Sequence, residues 1–159
     1  KEDGDEYWQT HYDEGIYVGY RWYEAKEIPV QWAFGHGLSY TTFEYGQAKA
    51  AKSSMNANGT MTITVDVKNT GDREGAEVVQ LYIADSQASI DRPVKELKGF
   101  EKITLKPGEK KTVSFTIDAD DLSYYDVASQ GWKAEKGEFV AHIGTSSADI
   151  KTTAAFELK

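Results

Sequence analysis

The chain has 159 residues, 40% hydrophobic and 28% charged, which fits one globular domain, or one domain with an arm, long enough to bury a core. Its 18 basic against 26 acidic residues leave a net charge of −8, which repels phosphate backbones and argues against nucleic acid as a partner. No apolar run approaches the ~18 residues of a membrane span, and the absence of cysteine excludes disulfides, thiol catalysis and cysteine-ligated metal.

The chain opens Lys1-Glu2-Asp3-Gly4-Asp5-Glu6, with neither an initiator methionine nor a signal peptide, and reads as a piece of a longer protein with any targeting segment upstream. Residues 1–43 then hold 11 of the 20 aromatics: Tyr7, Trp8, Tyr12, Tyr17, Tyr20, Trp22, Tyr23, Trp32, Phe34, Tyr40 and Phe43. No helical or strand period runs through them, so this stretch is no domain of its own. Aromatic rings of this number are seldom left in water, and the segment is expected to pack on the following domain, on another copy, or on a missing part of the parent protein.

From residue 43 onward the period is two. Met61, Ile63, Val65 and Val67 alternate with threonines, Asp66 and Lys68, the pattern of a half-buried strand, and Asn69-Thr70-Gly71-Asp72 breaks it with turn residues. Val79, Leu81 and Ile83 alternate with Gln80 and Tyr82; Val113, Phe115 and Ile117 with Thr112, Ser114 and Thr116; Phe139, Ala141 and Ile143 mark another strand. Pro107 and Gly108 suit the central positions of a turn, the glycine at positive φ. Strands are expected at 43–51, 60–69, 77–84, 95–105, 111–117, 123–128, 138–145 and 150–158, with one helical turn at 118–122. Short strands with turns every 8–12 residues read as an all-β, antiparallel sandwich.

Four ordered motifs add to this reading. They are Tyr12-Asp13-Glu14-Gly15-Ile16-Tyr17-Val18-Gly19-Tyr20-Arg21-Trp22-Tyr23, Phe34-Gly35-His36-Gly37-Leu38-Ser39-Tyr40-Thr41-Thr42-Phe43, Glu77-Val78-Val79-Gln80-Leu81-Tyr82, and Arg92-Pro93-Val94-Lys95-Glu96-Leu97-Lys98-Gly99-Phe100. Together they resemble the C-terminal part of glycoside hydrolase family 3, the β-glucosidase and β-xylosidase family. The resemblance implies a fibronectin type III-like (immunoglobulin-like) sandwich over 43–159, with 1–42 as the tail of a preceding α/β sandwich domain and linker. It implies that the nucleophilic aspartate and the acid/base glutamate lie upstream, so no catalytic residue is carried over and this piece alone is expected to be inactive. Trp32-Ala33 stands where the family more often has another aromatic and a proline.

The chemistry-bearing residues are read on their own terms. Asp13 and Glu14 are adjacent, and in an extended segment would point to opposite sides, a poor carboxyl pair for glycoside hydrolysis. Glu14 is expected to pair with Arg21 or to accept backbone N–H groups. Arg21, among Tyr20, Trp22 and Tyr23, suits an interdomain anchor or a sugar site, since guanidinium both stacks and forks onto carboxylates. His36, between Gly35 and Gly37 and following Phe34, is expected to fix a tight loop. His11, His36 and His142 are too scattered for a metal site, and Asp118, Asp120 and Asp121 lack the spacing of a calcium loop. No cofactor and no metal are expected.

Two other functions compete with a scaffold. The aromatics near Trp8, Trp22 and Trp32, or the exposed face of the sandwich near Trp132, could form a carbohydrate-binding platform, for which coplanar exposed rings are the criterion. An apolar face left by the missing catalytic domains could drive self-association or dimerisation, as could an edge strand such as 43–51. The resemblance implies a parent acting in the periplasm or outside the cell, with a cytoplasmic parent as the alternative, since the family has many cytoplasmic members.

Overall fold

A computed structural model describes residues 11–159; Tyr7, Trp8 and the acidic opening lie outside the described residues. Eleven strands follow a short helix: α1 (Tyr20–Ala25), β1 (Phe43–Tyr45), β2 (Lys49–Ala50), β3 (Ser54–Met55), β4 (Met61–Asn69), β5 (Gly75–Asp85), β6 (Glu96–Leu105) and β7 (Lys110–Ile117). The turn α2 (Ala119–Leu122) precedes β8 (Tyr124–Asp126), β9 (Gly131–Lys133), β10 (Gly137–Gly144) and β11 (Ile150–Leu158).

These strands make the expected sandwich. In one sheet β4 is flanked by β7 on one side and by β1 and β2 on the other. The other sheet runs β3-β11-β10-β5-β6. All of its pairings are antiparallel except β3 with β11, where Ser54 and Met55 lie parallel to Glu157 and Leu158. The alternating apolar residues meet between the sheets. Met61, Ile63, Val65 and Val67 of β4 face Leu81, Ile83, Phe139, Ile143 and Phe156, and every one of these is buried.

The differences from the sequence reading have local causes. The strand expected over 43–51 is broken into β1 and β2: Gly46 N still donates to Asp66 O in the register of β1 (2.8 Å), but Ala48 turns its N–H to the Thr152 hydroxyl (2.9 Å), and β2 rejoins β4 one residue out of that register. The two-residue β3 exists only because β11 lies beside it, a long-range condition that no local pattern encodes. Strand β9 was not expected, and pairs with β8 as a small separate hairpin. The acidic turn is helical as expected: Asp118 caps α2, its carboxylate accepting from Asp120 N and Asp121 N, while Asp121 accepts from Asp118 N. Gly108 sits at φ 76, as its turn requires.

One buried side chain ties three loops together. Asn69 ends β4 fully buried. Its Nδ2 donates to Arg73 O (2.8 Å) and Leu105 O (2.9 Å), while its Oδ1 accepts from the Thr41 hydroxyl (2.7 Å) and Gly71 N (3.0 Å). All four hydrogen-bonding sites of the amide are thus filled. Asn69→Ala is expected to lower the unfolding free energy by about 2–4 kcal/mol, through loss of these bonds and the buried groups left unpaired. Lys110→Ala, at an exposed ion pair with Asp66, should cost under ~1 kcal/mol. Urea midpoints of the two variants that coincide would contradict the hub assignment.

Candidate functional site

Strand β5 departs from simple alternation, since Val79, Gln80, Leu81, Tyr82 and Ile83 are all buried. Val79, Leu81 and Ile83 enter the sandwich core. Gln80 and Tyr82 point to the other face, and what covers them there is the aromatic N-terminal segment. The expectation that this segment packs on the domain that follows it therefore holds for α1 and the Gly35 loop.

Helix α1 has six residues and starts from Gly19 at φ 63, with no side-chain cap. A helix that short does not hold in water by propensity, so its packing must hold it. Tyr20 supplies most of that packing. Its ring stacks on Phe34 at 4.6 Å between centroids and meets Tyr82 edge-on at 6.0 Å. Its hydroxyl accepts from Leu97 N at 2.8 Å, beside the bulge where β5 and β6 shift register.

Charges fix the helix on both sides of that plug. Arg21 pairs with Glu96 (3.1 Å) and Glu24 with Lys95 (2.8 Å). The partner of Arg21 is thus Glu96 on β6, not Glu14, whose pairing with Arg21 was one of the two options expected for it. Glu96 also takes Arg92 (3.1 Å), which reaches Asp85 (3.3 Å) and Leu122 O (3.0 Å) and lies over the Tyr124 ring. The Arg92 side chain is only 8% exposed, so its charge is tolerable only because several oxygens surround it. Burial beside this network pushes the Lys98 ammonium below its usual range, against the opposing pull of Glu96.

The loop after Phe34 is held by Gln80. The Gln80 amide donates to Gly35 O (3.1 Å) and Thr145 O (2.6 Å), and its oxygen accepts from the Tyr82 hydroxyl (2.6 Å). Ser147 N donates to Phe34 O (2.9 Å). Gly35 has φ 79, and a Cβ there would collide with the Gln80 amide oxygen, so backbone freedom and close approach both demand glycine. Gly37 has neither constraint; the space around it is open. His36 stacks on Trp32 at 4.9 Å.

Tyr20, Arg21, Phe34 and Gly35 are therefore brought together on the outer face of β5. Glu14 lies in a turn over residues 13–16 rather than in the extended segment expected, its carbonyl accepting from Tyr17 N (3.0 Å). Trp22 is half-buried with Lys26 over its ring. Trp132, 73% exposed on β9, meets Tyr125 edge-on at 81°, and Trp32 lies face to face with His36. Neither pair spreads two rings side by side in one plane. Among the described residues, no group of three or more His, Asp or Glu side chains is placed to hold a metal ion. Sequence reasoning missed Gln80, Tyr82, Arg92 and Glu96 as site residues. Their signal was present in two of the four motifs, as a polar and an aromatic residue on the supposedly wet face of β5 and an Arg–Glu pair four residues apart.

His142 stands opposite Tyr82 on β10. Its imidazole is held below the usual range chiefly by burial and then by Lys95, with Glu24 pulling the other way. Beside α1 lies a groove of about 580 Å³, walled by Tyr20, Tyr23, Ile28, Val30, Trp32 and Phe34 and bordered by Glu24 and Glu27.

Residues 77–147 match the fibronectin type III-like domain family. The chain is 47% identical over 149 residues to the β-glucosidase BoGH3A of Bacteroides ovatus, covering 94% of this chain and 20% of that protein. It is 48% identical over 138 residues to the periplasmic β-glucosidase of Salmonella typhimurium, covering 87% of this chain and 18% of that protein. The crystal structure of the Kluyveromyces marxianus β-glucosidase in complex with glucose superposes with a TM-score of 0.86 at 45% identity, over 93% of this chain and 18% of that one. The chain thus spans about a fifth of the length of the curated relatives it matches.

Two outcomes test this geometry. Gly35→Ala is expected to displace the loop at a cost of about 1–3 kcal/mol. Hydrogen exchange should then show the Ser147 amide losing protection while Val65 in β4 keeps it. For His142 the folded pKa lies below the unfolded value of about 6.5. Its contribution is complete above that pH and is lost as pH falls toward the folded pKa. Unfolding free energy should fall as pH drops through about 6.5, and His142→Gln should flatten the slope; an unaltered slope would refute the assignment.

Proposed function

The chain corresponds to the C-terminal region of the family 3 glycoside hydrolases and contains their fibronectin type III-like domain, and on that footing we propose that it is a non-catalytic buttress for the catalytic domains of a β-glycosidase. Residues 43–159 are the buttress; residues 1–42 are the end of the preceding α/β sandwich domain and the linker. The parent enzyme hydrolyses terminal β-glucosides or related β-glycosides by a retaining mechanism, outside the cytoplasm, with both reacting carboxyl groups supplied upstream of this chain.

The observation that carries the reading is the two-sided character of the N-terminal segment. One side is locked onto β5 through Tyr20, Phe34 and Gly35. Much of the rest of the segment is apolar and bare: of the 16 exposed large hydrophobic residues in the described structure, ten fall between Tyr12 and Tyr40, including Leu38 and Tyr40 at 90% and 93% exposure. A patch of that kind marks an interaction surface. A segment anchored on one domain and apolar toward another transmits the position of one to the other, as inter-domain contacts of ~600–1,500 Å² do.

The test uses the 159-residue chain in amide NMR, alone and with millimolar cellobiose, xylobiose and laminaribiose, and an assay on p-nitrophenyl β-glucoside. A well-dispersed spectrum, no shift with any sugar and no hydrolysis are the expected results. Saturable shifts on Trp22, Trp32 or Trp132 would make the chain a carbohydrate-binding module and overturn the buttress reading.

A further inference from the structure

The exposed apolar surface of the described residues lies on one side of the sandwich. The sheet built on β4 carries none of the 16 exposed large hydrophobic residues. Ten belong to the N-terminal segment, and Phe100 stands opposite Gln80, on the face that this segment covers. The other five are Ile90 and Val94, in the loop between β5 and β6, and Tyr125, Val127 and Trp132, on the β8–β9 hairpin. Hydrogen bonds stitch these pieces into one strip. The Tyr17 hydroxyl bonds to the Asp91 carboxylate and to Arg92 O (3.3 Å), which fastens the N-terminal segment to the loop. Ser89 N donates to Glu135 Oε2 (3.0 Å) and the Tyr124 hydroxyl to Glu135 Oε1 (3.3 Å), which fastens the loop to the base of the hairpin.

The hairpin holds its rings outward. It is a separate two-stranded sheet with three residues in each strand, and a ribbon of that size is marginal by itself. Asp126 fixes its turn, accepting from Ala128 N (3.3 Å), Ser129 N (3.3 Å) and the Ser129 hydroxyl (2.6 Å). Tyr125 and Trp132 are cross-strand partners on one face, their ring centroids 5.8 Å apart, and Val127 projects from the turn. Tyr124 turns the other way, against Arg92 and Glu135. An ordered pair of large rings that nothing in the chain covers marks a contact with something else.

The path of the chain supplies the partner. Tyr17, fastened beside the hairpin, is six residues from His11, and an extended chain spans at most about 3.6 Å per residue, so His11 lies within roughly 22 Å of Tyr17. The relatives carry four-fifths of their length outside the match, and the match is to their C-terminal region. A small domain is already about 30 Å across. One that feeds the chain in at this point is wider than the connection is long, and so stands against the hairpin end of the sandwich.

We infer that the β8–β9 hairpin is a docking arm for the domain that precedes the sandwich in the parent enzyme, with Tyr125 and Trp132 as its anchors on an apolar surface of that domain. The inference rests on the buttress reading and adds a second foothold to it. The N-terminal segment joins the two domains through the chain, and the hairpin joins them by contact alone. Two footholds fix the angle between domains that a single connection leaves free.

The test compares the 159-residue chain with the parent enzyme isolated whole. Both are exposed to hydroxyl radicals, and oxidation is read residue by residue by mass spectrometry. Trp132 and Tyr125 are expected to oxidise about tenfold more slowly in the parent, as rings in the core of an interface do. Acetylation of Lys110, on the opposite sheet, should proceed equally in both. Leu38 and Tyr40 report on the buttress reading itself. If they stay open in the parent, that reading falls; if they are protected while Trp132 and Tyr125 oxidise equally in both forms, only the hairpin inference falls. Protection that appears only as protein concentration rises would put a second copy on the hairpin and overturn the inference as well. Trp132→Ser gives an independent readout. The urea midpoint of the 159-residue chain should not move, because the ring is exposed there. The parent variant, assayed on p-nitrophenyl β-glucoside, should lose activity several-fold faster on heating, and an unchanged rate of loss overturns the inference.

Discussion

The cover formed by α1 and the Gly35 loop depends on one strand being buried twice. Strand β5 gives Val79, Leu81 and Ile83 to the sandwich and Gln80 and Tyr82 to the cover. A sheet with one wet face would leave that tyrosine and that amide in solvent; here Tyr82 has no exposed surface at all. The cover in turn has no other source of order. Six helical residues without a cap, followed by a loop without a ladder, hold their shape because Tyr20 fills the space between Phe34 and Tyr82. The apolar plug supplies the attraction, and the Gln80 amide makes it directional.

The ionic layer around the plug does a different job. Arg21, Arg92 and Lys95 on one side and Asp85, Glu96 and Glu24 on the other sit where water is scarce. Pairs of this kind gain little net stability, because desolvation offsets most of the attraction. They do penalise any arrangement that leaves one of them alone. A helix slid by one residue along β6 would separate Arg21 from Glu96 and Glu24 from Lys95 together, so the network selects the register that aromatic stacking alone leaves loose. His142, half-buried in the same layer, is held below the usual imidazole range by burial and by Lys95, so the fold disfavours its charged form.

The sandwich was legible because its strands keep period two over eight or more residues and end in Asn, Asp, Gly and Pro. The 60–69 strand, the Pro107–Gly108 turn and the acidic turn at 118–122 were all read from nearest neighbours, and nearest neighbours determine them. What escaped depends on distant partners. Helix α1 shows no amphipathic period in six residues, and nothing local says that Tyr20 will meet a backbone N–H 77 positions away. Arg21 was matched with Glu14, an acid of its own motif, as one of two options, and the fold brought it Glu96 from β6. Gln80 and Tyr82 looked like the solvent side of an alternating strand because alternation reveals that two faces exist, not that both are covered. The family resemblance singled out these stretches as motifs without giving the contact that joins them.

The order in which the chain leaves the ribosome gives the cover a history of its own. Tyr20 and Phe34 emerge well before the strands they will seal. The 77 residues that separate Tyr20 from Leu97 take roughly 4–15 s to synthesise at ~5–20 residues per second. For most of that interval the densest aromatic stretch of the molecule has no β5 to lie on, and for all of it no finished β6. A domain already folded upstream would be its first available neighbour, and the sandwich its second. Assembly would then proceed by hand-over, with the segment captured first by the surface made before it and closed afterwards by the surface made behind it.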